Sequence, residues 1–175
     1  MKAPACCLVA ASLVLPSLLV AQTRQANGPL ASTPQELLRV LSGTWHFEVY
    51  SQASTSPLAS GQREMRLLAD STKLAWTETV AGRSDAGTGI LGYNSATGAY
   101  YVLAALDHEP SPMVLIGRAD HSGRTVVFDV ASTDLQLAKP GVYVTSKLRI
   151  VDADHFEWVT SDGRGRGIFR RIGHS

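Results

Sequence analysis

Three neighbouring aspartate and histidine pairs could do chemistry: Asp107-His108, with Glu109 following, Asp120-His121 and Asp154-His155. An aspartate beside a histidine can fix the orientation and tautomer of the imidazole, which suits a metal ligand or a general base. All three pairs fall in or beside connections, where aspartate starts turns by accepting from the backbone two residues on. The turn reading is therefore the stronger one. Asp107, His108 and Glu109 remain the densest polar group, which Arg83, Asp85, Asp134 and Lys139 would join, and they form the candidate centre of an enzyme.

A second chemistry is apolar. From Trp45 the large residues Trp45, Phe47 and Val49 alternate with His46 and Glu48, as in a half-buried strand. Extending that alternation gives an interior of Phe47, Val49, Met65, Leu67, Trp76, Glu78, Tyr101, Leu103, Met113, Leu115, Phe156 and Trp158. An aromatic and methionine lining suits a small apolar ligand, with Glu78 as its orienting polar group. The competing reading is a solid core, because small barrels can be packed full.

The elements that must position these residues are strands. After a short helix, segments of strand composition recur at roughly 44–51, 61–70, 73–81, 87–94, 99–106, 112–119, 124–132, 142–151, 155–162 and 165–172. No helical period interrupts them, which predicts an all-β, antiparallel up-and-down barrel of about ten strands. Thr33-Pro34-Gln35-Glu36 is a capping box, and the helix it starts carries Leu37, Leu38 and Leu41 on one stripe, fit to plug one barrel end. Gly43 can take the positive φ that ends that helix.

The turns separate the two ends. Asp70-Ser71-Thr72, Asn94 to Gly98, Asp120 to Gly123 and Asp152-Ala153-Asp154 are short and would share the helix end. The connections at the other end include the long Gln52–Ser60 and Thr133–Gly141. A tightly sewn floor and an open mouth follow, with function placed at the mouth. Gly163 to Gly167, with two arginines between its glycines, reads as a hairpin turn rather than an RNA-binding segment.

Residues 1–21 read as a signal peptide: Lys2 supplies the positive start, the apolar run is broken by Pro16, and Ala21 precedes the cut. Export to the periplasm or the exterior is the expectation, with 22–32 a flexible linker and 33–175 the folded domain. Both cysteines, Cys6 and Cys7, lie in the leader, so a mature chain would have no thiol for a disulfide or a metal. The full chain has 16 basic and 15 acidic residues; losing Lys2 with the leader equalises them. Neutrality gives no electrostatic reason for a nucleic-acid partner, and the leader's run is too short to insert the mature protein in a membrane. No phosphate-binding, dinucleotide, serine-hydrolase or zinc-protease motif is present. Neither metal nor cofactor is expected.

Gly43-Thr44-Trp45 after a short helix resembles the Gly-x-Trp signature of lipocalins and other calycins. That resemblance implies a basic residue from the last strand crossing the tryptophan. Arg171 is the first choice and Arg170 the second, because Gly167, Phe169 and Arg171 share a face. By the same analogy with haem-binding barrels, His155 or His46 is a weaker candidate haem ligand. Nearly the whole mature chain resembles a bacterial lipocalin-like family, domain of unknown function 1579. The likeness rests on Leu41 to Trp45, Thr88 to Asn94, Asp107, Asp120 with Gly123, Arg149 to Asp154 and Phe169-Arg170-Arg171. Ala105 stands where that family tends to carry tryptophan, which implies a wider interior or a different ligand. The family implies a calycin barrel and no established activity. The expected function is non-catalytic binding of a small, mainly apolar ligand; the alternatives are an enzyme at the mouth cluster and a packed barrel that binds another protein.

Overall fold

Thr33 starts the helix as the capping box requires: its Oγ1 accepts from Glu36 N at 3.2 Å, and the Glu36 carboxylate accepts from Thr33 N at 3.1 Å. Just ahead of it the chain already packs. Ala31 is buried, and Ser32 donates to Glu36 from both N and Oγ. The helix, α1 (Pro34–Leu41), buries Leu37, Leu38 and Leu41 in the same cluster as Trp45.

The computed structural model describes residues 31–51, 54–84, 86–107, 112–131, 145–161 and 165–173. After α1 come β1 (Gly43–Ser51), β2 (Ala59–Leu67), β3 (Lys73–Val80), β4 (Ala86–Asn94) and β5 (Ala99–Leu106). They are followed by β6 (Met113–Ala119), β7 (Thr125–Val130), β8 (Ser146–Asp152), β9 (His155–Thr160) and β10 (Gly165–Gly173). Each strand pairs antiparallel with the next, and β10 returns to β1, closing the ten-stranded barrel that the alternation predicts. Closure leaves neither edge unpaired. No helix among the described residues is long and apolar enough to cross a membrane.

The short turns gather at the α1 end. Asn94, Asp120 and Asp152 each accept a backbone N–H two residues on, and Gly98 and Gly123 supply a φ of +64°. The β2–β3 turn starts earlier than the composition suggests, because β2 already ends at Leu67, and Asp70 accepts from Thr72 N within the turn. The leader (1–21), residues 22–30, and much of the long connection after β7 lie outside the described residues.

Register fixes which residues face inward. Gly43, Met65, Trp76, Gly89, Ala104 and Met113 are cross-strand partners in succession, so they share one face, and that face carries the buried core. This places Tyr100, Val102 and Ala104 of β5 inside. Tyr101 and Leu103, expected to line the interior, stand on the outer wall: Leu103 is 42% exposed, and the Tyr101 ring lies over Gly92. The reason is compositional. Strand β5 is apolar on both faces, so alternation alone carries no parity there.

Candidate functional site

The floor is built first. Gly43 has a φ of +128°, which turns the chain from α1 into β1, and Trp45 Nε1 then donates to the Leu41 carbonyl at 2.9 Å. Arg171 lies across the indole, its guanidinium carbon 4.1 Å from the ring centroid. Its nitrogens donate to the carbonyls of Ser42, Val40 and Ala153 and to Asp154, so one cation ties the end of α1 to the β8–β9 turn. Arg170 is turned outward, 3.5 Å from Glu48. Above Trp45 the rings of Phe156, Phe169, Phe128 and Trp158 pack: Trp45 meets Phe156 edge-on at 4.7 Å, and Phe156 stacks on Phe169 at 4.3 Å. This half of the barrel is solid.

The other half is not. A cavity of about 240 Å³ rises from the Phe156 and Phe169 layer to the rim, where Leu106, Met113, Thr160 and Gly165 end or begin their strands. Val49, Met65, Trp76, Glu78, Met113 and Trp158, all expected inside, line it. Phe47 and Leu115 also face inward but are packed into the wall: Phe47 leans on Phe169 at 5.7 Å and fills the space over Gly61, and Leu115 is 2% exposed.

One polar feature interrupts this lining. Arg63 Nε donates to Glu78 Oε2 at 2.9 Å, and Nη2 of the same guanidinium donates to the same oxygen. The guanidinium is held between rings, 4.4 Å from the Trp76 centroid and 4.8 Å from that of Phe169. Arg63 was absent from the expected lining although the signal was present. It lies two residues before Met65 on β2 and therefore shares its face, and register sets it opposite Glu78. Glycine makes room for the pair: a Cβ on Gly87 would come within 2.9 Å of the Glu78 carboxylate.

The aspartate and histidine pairs separate as turn residues do. Asp107 accepts from Ala86 N at 2.9 Å, Asp120 bonds Ser122 and Thr125, and Asp154 bonds Arg171. His108 and Glu109, with Asp85, Asp134 and Lys139 of the mouth cluster, lie outside the described residues. His46 and His155 pair across the sheet with Arg170 on the outward face of β1 and β9, so neither points at the cavity. Among the described residues no group of three or more histidines, cysteines or carboxylates could hold a metal. Of the glycine and arginine segment read as a turn, Gly165 to Gly167 belong to β10, where Thr160 Oγ1 accepts from Gly165 N and donates to its carbonyl; residues 163 and 164 lie outside the described residues.

A scan against protein-family models finds no match for this chain, and a search of curated proteins finds none either.

Proposed function

We propose that this protein is an exported barrel that binds a small, mainly apolar molecule in its mouth-side cavity, without catalysis. The observation that carries the reading is the contrast between the two halves of one interior: solid aromatic packing at the floor, and about 240 Å³ of space under an apolar lining at the rim. That volume lies just below the roughly 300–1,000 Å³ of pockets that take drug-sized ligands, which favours a smaller guest. Desolvation would supply most of the affinity, at about 25 cal/mol per Å² of apolar surface buried. Membership of the lipocalin-like family is part of the proposal, supported by the helix, the Gly43-Thr44-Trp45 start and Arg171 on Trp45. Folds of this kind host many functions, so the cavity carries the functional claim and the family does not.

The test is a titration of the mature protein with 1-octanol, followed through the emission of Trp76 and Trp158 on the cavity wall. A saturable change that Val49→Phe abolishes without lowering the melting temperature supports the reading. Val49 suits this because it lines the cavity, so a larger ring there takes up the space a guest would fill. An unsaturable or absent response in the unmodified protein contradicts it.

A further inference from the structure

Resting on that reading, we infer that the cavity selects a guest whose polar end is an uncharged group that both donates and accepts hydrogen bonds, of the amide type, and discriminates against carboxylates and amines.

The inference starts from the charge inside the cavity. Among the described residues, the inward-facing positions around this space carry one cation, Arg63, and one anion, Glu78, and these neutralise each other. Arg166 reaches the rim but is exposed and lays its guanidinium over Tyr50 outside, 5.7 Å from that ring. The Thr160 hydroxyl is engaged in both directions by Gly165. The polar chemistry offered to a guest is therefore that of the Arg63–Glu78 pair.

The pair presents two complementary atoms. Both hydrogen bonds from Arg63 end on Glu78 Oε2, so among the described residues Glu78 Oε1 and Arg63 Nη1 have no protein partner. The rings of Trp76 and Phe169 both lie against the guanidinium, which opposes its moving away from Glu78 to receive an ion. A carboxylate would meet Glu78 and an ammonium would meet Arg63, each leaving a like charge uncompensated in an apolar surrounding. An amide meets both without net charge: its carbonyl accepts from Arg63 Nη1 while its N–H donates to Glu78 Oε1.

Stability is a poor reason for such a pair. Replacing a buried ion pair by apolar residues of similar size is often neutral or stabilising. Yet here Gly87 leaves the space that Glu78 fills, and two aromatic rings hold Arg63 in place.

The experiment compares octanamide, octanoate, octylammonium and octane at neutral pH by tryptophan emission, on the unmodified protein and on Glu78→Gln and Arg63→Gln. The expected order on the unmodified protein places octanamide first, by roughly tenfold over either ion. Glu78→Gln leaves Arg63 uncompensated and should move octanoate to first place; Arg63→Gln should do the same for octylammonium. If octanoate, octylammonium or octane matches octanamide on the unmodified protein, the inference is overturned while ligand binding stands. If none of the four binds, both fall. An unchanged order in a folded Glu78→Gln protein overturns the inference as well; if neither variant folds, the order on the unmodified protein decides alone.

Discussion

Arg171 covers Trp45 with its guanidinium 4.1 Å from the indole centroid while donating to carbonyls at the end of α1 and in the β8–β9 turn. Arg171→Ala would remove the cation and take this donor from the part-buried carbonyls of Val40 and Ser42. A loss of about 3 kcal/mol is expected. Urea denaturation checks it, and an unchanged midpoint would remove the floor lock from the account. Arg170→Ala, on an exposed side chain, should cost well under about 1 kcal/mol.

Gly43 answers to the same lock from the backbone side. Its φ of +128° disfavours any side chain, and a Cβ would lie 2.7 Å from the Gly173 carbonyl and against the Arg171 guanidinium. Gly43→Ala should therefore cost about 2 kcal/mol or more. Gly82 also has a positive φ, +72°, but a Cβ there meets open space, so Gly82→Ala should cost about 1 kcal/mol. Parallel thermal melts of the two variants separate strain from collision.

The Arg63–Glu78 pair makes a further prediction about stability. Its side chains are 17% and 12% exposed, so removing either partner leaves the other charge largely buried without its counter-ion. Arg63→Met or Glu78→Leu alone should destabilise by about 3 kcal/mol, and the double variant by much less. A double-mutant cycle in urea measures this. Additive single losses would show that the two charges do not depend on each other.

Tyr100 ties stability to alkaline pH. It is 4% exposed beside Tyr93, and burial, followed by that neighbour, pushes its phenol up from 10.0 to about 12. The folded protein thus holds a proton that the unfolded chain releases sooner. Its contribution is fully present below about pH 10 and is lost as pH rises through about 12. Tyr100→Phe should flatten the fall in stability over that interval, which denaturation at a series of alkaline pH values would show.

The fold was legible because β1 alternates cleanly, with polar His46 and Glu48 between Trp45, Phe47 and Val49, and because Asn94, Asp120 and Asp152 mark the floor turns. The cavity wall was legible where that contrast persists, as at Met65 between Glu64 and Arg66. It failed in β5, where Tyr101 covers Gly92 and Leu103 continues the apolar outer wall, so both faces read alike. Arg63 escaped for a different reason: charge argued for solvent, although its spacing from Met65 argued for the interior. The inward glycines carried information of another kind. Gly61, Gly89 and Gly117 each lie beneath an aromatic ring, and Gly87 lies beneath Glu78; only cross-strand register shows which large side chain claims the space.

The most direct test of the central claim is native mass spectrometry of the mature protein purified from an exporting bacterial host, with organic extraction of what it carries and a parallel Val49→Phe preparation. The account predicts a stoichiometric, mainly apolar passenger on the unmodified protein that the variant has lost. A bare protein mass in both preparations, with no apolar molecule recovered in the extract, would contradict it.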